Sequence, residues 1–208
     1  MYIPKYFKMN DYEEVLSFMK EHAFVTLVTT QNGIPIASHI PVHLSEKNDA
    51  LFITGHLAYG NPQWRTLDQE TNVLIIFQGP HAYISSSWYQ EENVPTWNYQ
   101  SVHVYGDTKL LDDDELRYDL KSMMLKYEQG RENAYTSEER MSRLIEKELP
   151  GVKGFKLKVT DIQAKNKLSQ NRKTEDYMNI IEQLPKEQTM NSTEIAHQMS
   201  RLKQSDIK

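Results

Sequence analysis

The chain has 208 residues, of which 38% are hydrophobic, 25% charged and 10% aromatic, a composition that supports a packed core and excludes a disordered chain. It has no cysteine, which excludes disulfides, thiolate catalysis, iron–sulfur clusters and Cys-ligated zinc. The net charge of −5 is uneven: residues 1–151 carry 13 Lys+Arg against 22 Asp+Glu, residues 152–173 carry 7 against 1, and residues 174–208 carry 4 against 6, so only the middle stretch attracts an anion by charge alone.

In chain order, Asn10-Asp11-Tyr12-Glu13 is a capping-box pattern followed by Val15, Leu16, Phe18 and Met19 at helical spacing, which predicts a helix near 10–22. Phe24 to Thr30 is β-branched and aromatic and runs into Asn32-Gly33, a hairpin signal, with a partner strand from Ile34 to Leu44. A strand from Leu51 to Thr54 is expected to end at Gly55. Asn61 then caps a short helix that has Pro62 at its first position and runs through Trp64 and Leu67. Val73 to Phe77 reads as a buried strand stopped by Gly79-Pro80, with His81 to Ile84 resuming the sheet. Thr96 to Tyr105 alternates, with Trp97, Tyr99, Ser101, His103 and Tyr105 on one face and Asn98, Gln100, Val102 and Val104 on the other. Bulk on both faces predicts a strand buried on both sides.

Helices then take over. Asp112 with Glu115 opens one that runs to about Tyr127, and Thr136 with Glu139 opens another that ends near Pro150-Gly151. A strand carries Phe155, Leu157, Val159 and Asp161 on one face. Thr174 caps a helix to Leu184, and Asn191 with Glu194 caps the last, whose Ile195, Met199 and Leu202 form a docking stripe. Strands joined by hairpins and short loops give an α+β protein with an antiparallel six-stranded barrel, peripheral helices and a C-terminal helical tail. The expected division is a barrel domain over 1–173 with inserted helices and a helical extension over 174–208. The longest apolar run, Val73 to Phe77, falls far short of the ~20 residues that cross a bilayer, and Met1 to Lys5 has no apolar stretch of signal-peptide length. A cytoplasmic protein with no membrane partner is expected.

Several chemistries fail on pattern. The glycines form no phosphate-binding loop, and there is no Gly-x-Ser-x-Gly elbow and no His-Glu-x-x-His helix. His39 and His43 are four residues apart on a strand, ~13 Å at strand rise, too far to chelate one ion, so no metal is expected. Three segments carry more. Thr54 to Pro62 places a helix start after a strand, where unpaired N–H groups attract phosphate and Thr54, His56 and Asn61 add donors. The segment from His81 to Tyr99 holds five large aromatics in the seventeen residues from Tyr83 on, either a dimer interface or core, or a wall for a flat aromatic ligand. Lys165 to Arg172 offers three cations, a hydroxyl and three amides, either an exposed basic turn or a grip for phosphate.

Together these segments resemble the PaiB family of FMN-binding split-barrel proteins, described as negative transcriptional regulators. The family's Met-Tyr-x-Pro-x-x-Phe opening fits Met1 to Phe7, and its Gly-His-Leu-Ala and Asn-Pro-x-Trp motifs fit Gly55 to Ala58 and Asn61 to Trp64. Its remaining blocks match Phe77 to Ser85, Val94 to Tyr99 and Lys167 to Asn171. Many members carry Arg where Tyr59 stands. The resemblance implies a homodimer that holds FMN at its seam. Ser38 and His39 would lie beside the ring, Ile53 and Thr54 under the ring and ribityl chain, and His56, Leu57 and Asn61 at the phosphate, while Trp97 and the segment holding Lys167, Ser169 and Asn171 reach in from the other subunit. No catalytic acid or base is assigned. The implied function is negative regulation, in the family linked to sporulation and protease genes, with DNA as a partner that the acidic total charge disfavours. The alternative is an FMN-dependent oxidoreductase of the pyridoxamine-phosphate-oxidase-like class.

Overall fold

The computed structural model describes residues 1–68, 71–134 and 137–205, with side chains to residue 202. Its strands are β1 Phe24–Gln31, β2 Ile34–Lys47, β3 Ala50–Ala58, β4 Val73–Ile84, β5 Thr96–Leu110 and β6 Val152–Lys167. Its α-helices are α1 Tyr12–Glu21, α2 Asp113–Glu128, α3 Glu138–Glu148, α4 Thr174–Gln183 and α5 Met190–Ser205. The strands close as a barrel in the order β1-β2-β3-β6-β5-β4, the expected α+β class. The β1–β2 hairpin pairs Gln31 with Ile34 across Asn32 and Gly33, whose φ values of 51° and 79° suit a two-residue turn between twisted strands.

The chain forms two compact units, residues 20–77 with 103–162 and residues 1–19 with 78–102 and 163–208. In the first, β1 pairs β4 from Thr26↔Ile76 to Val28↔Leu74, and β3 pairs β6 from Phe52↔Lys158 to Ala58↔Val152. Leu27, Val42, Ile53, Ile75, Phe155 and Leu157 are buried there. In the second unit, Ile84, Leu168, Ile180, Leu184, Ile195 and Met199 form one apolar cluster. The predicted stripe of the last helix lies in or against it, Ile195 and Met199 wholly buried and Leu202 partly so.

Several boundaries differ from the sequence reading. β3 does not end at Gly55. A Cβ there would lie 3.2 Å from the Phe155 ring and 3.3 Å from the Pro41 carbonyl, so this glycine serves close packing within the sheet, and the strand continues through His56 and Leu57. β4 likewise runs through Gly79-Pro80, because the Phe18 ring would sit 2.7 Å from a Cβ at Gly79. β5 is not buried on both faces: Asn98, Gln100, Val102 and Val104 are buried, whereas Trp97 is exposed and Tyr99, His103 and Tyr105 are half-buried. β6 extends to Lys167, so of the two readings of the basic segment the exposed turn is set aside: it is a strand end with Lys165, Asn166, Leu168 and Ser169 buried.

The helix starts also shift. Asp112 caps α2 as expected, accepting from the Glu115 N–H at 2.8 Å. For α3 the predicted Thr136 lies outside the described residues, and Ser137 stands at the cap position without a side-chain bond. Thr174 is the first residue of α4 rather than its cap. Lys173 holds the cap position and instead pairs with Glu91 at 2.7 Å. The last helix is capped by Thr189, not Asn191. Gln188, at φ 55°, ends the preceding turn, and Thr189 and Ser192 then form a reciprocal capping box: the Ser192 N–H donates to Thr189 Oγ1 at 3.0 Å and the Thr189 N–H to Ser192 Oγ at 3.3 Å.

Candidate functional site

In the unit of residues 20–77 and 103–162, Ser38 and Asn61 meet around an amide that sequence reasoning missed. Asn61 accepts from the Gln63 N–H at 3.0 Å and starts a single 3₁₀ turn, Pro62–Thr66, too short to aim a helix dipole. The turn buries Gln63. Its Nε2 lies 3.2 Å from the Leu27 carbonyl, 3.2 Å from Thr29 Oγ1 and 3.3 Å from the Ile36 carbonyl. Its Oε1 accepts from Ser38 Oγ at 2.6 Å, and Ser38 Oγ accepts from Asn61 Nδ2 at 2.8 Å. Two predicted flavin contacts are thus committed to one internal network. His39, the neighbour of Ser38 on β2, points the opposite way, as strand alternation requires. It is exposed, 3.1 Å from Thr26 Oγ1, and stacks on Phe24 with ring centroids 6.5 Å apart.

The pleat also divides the β3 residues. Ile53 and Leu57 are wholly buried on one face, so only their backbone is available to a ligand. Thr54 and His56 share the other face, where α2 lies over them. Thr54 Oγ1 donates to Asp119 Oδ1, and Lys156, the cross-strand neighbour of Thr54, bonds Glu115 at 2.5 Å. Burial pushes the Asp119 carboxyl above its ordinary range, against the opposing pull of the Thr54 hydroxyl and of His56, His43 and Lys156. Burial also lowers the His56 imidazole, with Asp119 pulling it back up. Asp119 Oδ2 and His56 Nδ1 are both buried and have no partner among the described residues. Asp119 was missed, although a signal existed: it falls on the α2 stripe with Leu116 and Met123, a carboxylate where the helix buries apolar groups.

Where members of the family often carry Arg, Tyr59 stacks on Trp64 with centroids 5.8 Å apart, and the Lys153 ammonium lies 5.7 Å and 5.8 Å from the two rings. A cation from β6 thus stands beside the predicted phosphate loop.

In the unit of residues 1–19, 78–102 and 163–208, Trp97 is exposed, 6.0 Å from the His81 ring and 5.9 Å from the Tyr83 ring. Lys167 Nζ donates to Thr96 Oγ1 at 2.5 Å and to the Trp97 backbone carbonyl at 2.7 Å, which ties this cation to the start of β5. Lys165 is buried, its ammonium 3.2 Å from the Tyr2 carbonyl and 5.0 Å from the centre of the Tyr99 ring. Arg172 lies 4.6 Å from the centre of the Tyr89 ring. Burial lowers the Lys167 pKa, and the Lys165 and Arg172 charges lower it further. Among the described residues, none of these three cations pairs with a carboxylate. Ser169, held at φ 63°, donates to Asn98 Oδ1 at 3.0 Å and is buried, while Asn171 is exposed.

Residues 1–161 match the family described as "Putative FMN-binding domain". The chain is 55% identical over 199 residues to "Protease synthase and sporulation protein PAI 2" of Bacillus subtilis (strain 168), covering 96% of each chain. Its structure is similar to that of the FAD and haem binding protein from Mycobacterium smegmatis, with a TM-score of 0.59 at 16% identity, covering 82% of this chain and 78% of that one. It is also similar to the flavocytochrome Anf3 from Azotobacter vinelandii, with a TM-score of 0.56 at 16% identity, covering 85% and 78%. At that identity the two structures show the fold alone. By family match and by relative, the chain belongs to the FMN-binding-domain family, the split-barrel group its motifs resemble.

Proposed function

We propose that this protein is a PaiB-like negative regulator, a cytoplasmic homodimer whose split barrel binds FMN at the seam between two copies. The observation that carries the flavin part is the cluster of Lys165, Lys167 and Arg172. Three cations with no carboxylate partner among the described residues repel one another; the Lys167 pKa, lowered first by burial, is lowered further by the charges of Lys165 and Arg172. A phosphate dianion relieves it and gains charge-assisted hydrogen bonds. The exposed Trp97, flanked by His81 and Tyr83, supplies an aromatic face for a flat ring. Trp97 and the segment from Lys167 to Asn171 belong to one copy, and the exposed His39 of β2 to the other. FMN, when bound, supplies reversible electron chemistry at its ring. The chain's own part is to neutralise the phosphate, stack the ring and shield it from water. The regulatory part rests on the relative's name, a protease synthase and sporulation protein.

Titration of the purified protein with FMN, followed by flavin absorbance and fluorescence alongside sedimentation, tests the reading. Saturable binding by a dimer is expected. A chain that refuses FMN, or a monomer that binds it fully, overturns the seam site. Gel shifts with genomic fragments across a salt series test direct operator binding: complexes that weaken steeply with salt are expected of a direct repressor, and absence of binding at every salt rejects that version.

A further inference from the structure

In the unit of residues 20–77 and 103–162, a cavity of 630 Å³ opens between α2 and α3 and reaches β3 at His56. That volume holds a drug-sized molecule. Its walls are apolar and polarisable, with Met123, Met124 and Tyr127 from α2 and Ile145 from α3. Met123 and Ile145 are buried and form the floor. Glu128 is half-buried and Glu148 exposed, which puts two carboxylates toward solvent. Among the described residues, no Lys or Arg lines the cavity. The Glu128 side chain makes no ion pair with the described residues, and Glu148 has only its neighbour Lys147 at 3.8 Å, an exposed pair of little strength.

The polar groups of the cavity are alike in kind. Two are carboxylates. The Tyr127 ring presents a face that attracts cations, and Lys126 already lies 5.2 Å from its centre. His56 Nδ1 is buried with no partner among the described residues, and with the ring neutral and its proton on Nε2 it is a lone-pair acceptor. A site built from acceptors and π faces rejects anions and acceptor-rich ligands, and it accepts a donor carrying positive charge on an apolar body.

We propose that the α2–α3 cavity binds a small hydrophobic organic cation, its charged nitrogen drawn by Glu128 and Glu148 and its apolar body seated on Met123, Met124, Tyr127 and Ile145. The site is separate from the flavin grip and does not depend on it. Rhodamine 6G, a fluorescent lipophilic cation, serves as the probe for the full-length protein, read by anisotropy, with the anionic dye 8-anilinonaphthalene-1-sulfonate as the charge control. Saturable binding of the cation, tighter than that of the anion, is expected. Glu128→Gln combined with Glu148→Gln weakens cation binding by at least about tenfold while leaving the unfolding temperature unchanged, since both side chains lie toward solvent. Leu144→Trp fills the cavity and abolishes binding. Excess FMN leaves rhodamine binding unchanged. Equal cation affinity in the double variant and the parent overturns the proposal, as does tighter binding of the anion or one-for-one displacement by FMN. If the protein refuses FMN yet binds rhodamine with the expected carboxylate dependence, the flavin reading fails and this one stands.

Discussion

Gln63 and Lys167 are both polar groups drawn in from solvent, and their surroundings treat them differently. Every polar atom of the Gln63 amide has partners inside its own unit: two carbonyls and a threonine hydroxyl on the nitrogen, a serine on the oxygen. Lys167 spends two bonds on Thr96 and Trp97, but its charge meets only the like charges of Lys165 and Arg172. A saturated buried amide stabilises the chain that contains it and has little left for a ligand. A buried cluster of one sign costs the folded chain stability and is relieved by an outside counter-charge. Ser38 and Asn61, saturated around Gln63, are therefore structural in this chain, and the ligand-seeking groups are the cations at the end of β6.

Removing the amide sharpens this contrast most. Gln63→Ala takes the acceptor from the Ser38 hydroxyl, removes a donor from the Leu27 and Ile36 carbonyls and leaves a cavity, so it should cost about 3 kcal/mol of stability, a multiple of one net hydrogen bond. Urea unfolding checks it. A midpoint within error of the parent would mean that the network carries no weight.

Lys167→Ala should do the reverse. It removes one of three mutually repelling charges, so the unfolding midpoint should hold or rise slightly. FMN affinity should fall roughly tenfold to a hundredfold, as expected when a charge-assisted phosphate contact is lost. If Lys167→Ala loses stability and keeps its FMN affinity, the division into a saturated region and a ligand-seeking one is broken.

The strand and helix order was legible because period and punctuation agreed along the chain. The Asn32-Gly33 turn and the Asp112 cap are local signals, and local chemistry decides them. The errors at strand ends share one cause. Gly55 and Gly79-Pro80 look like terminators, yet their role depends on Phe155 and Phe18, residues 100 and 61 positions away in sequence. The basic segment read as either an exposed turn or a phosphate grip because nothing in its own sequence shows that Lys165 is buried against Tyr2 and Tyr99. The site was legible as a set of segments and not as bonds. His39, Trp97 and Lys167 stand where a ligand can reach them, while Ser38, Asn61 and Ser169 are engaged by Gln63 and Asn98, partners no spacing rule connects to them. Gln63 left no trace in the pattern, whereas Asp119 left one.

Asp119→Asn probes the face of β3 under α2, which lies between the two extremes: Thr54 satisfies one carboxylate oxygen and the other has no partner. The folded-state pKa of Asp119 is raised above the ordinary 3.8, so its contribution to stability is fully present below that pH and is lost as pH rises through the folded value. Above that folded value the folded chain therefore holds a poorly solvated charge. The asparagine keeps an acceptor for Thr54 and removes that charge, so stability at neutral pH should rise by about 1–2 kcal/mol. A fall of the same size would show that the charge is needed to hold His43, His56 or Lys156.

His56→Gln is the smallest effect and the most diagnostic of this face. Burial lowers the His56 pKa below the ordinary 6.5, so its contribution is present above that pH and is lost as pH falls through the folded value. Acidification from pH 6.5 downward must charge a half-buried ring, and Asp119 offsets only part of the cost. Removing the imidazole should therefore flatten the acid limb of the stability profile by about 1 kcal/mol and leave neutral stability nearly unchanged. Urea midpoints at a series of pH values separate this slope from that of Asp119, which runs in the opposite direction. If His56→Gln reproduces the parent's acid limb, proton uptake at His56 does not drive it, and the imidazole already has enough water or carboxylate around it to charge at no cost.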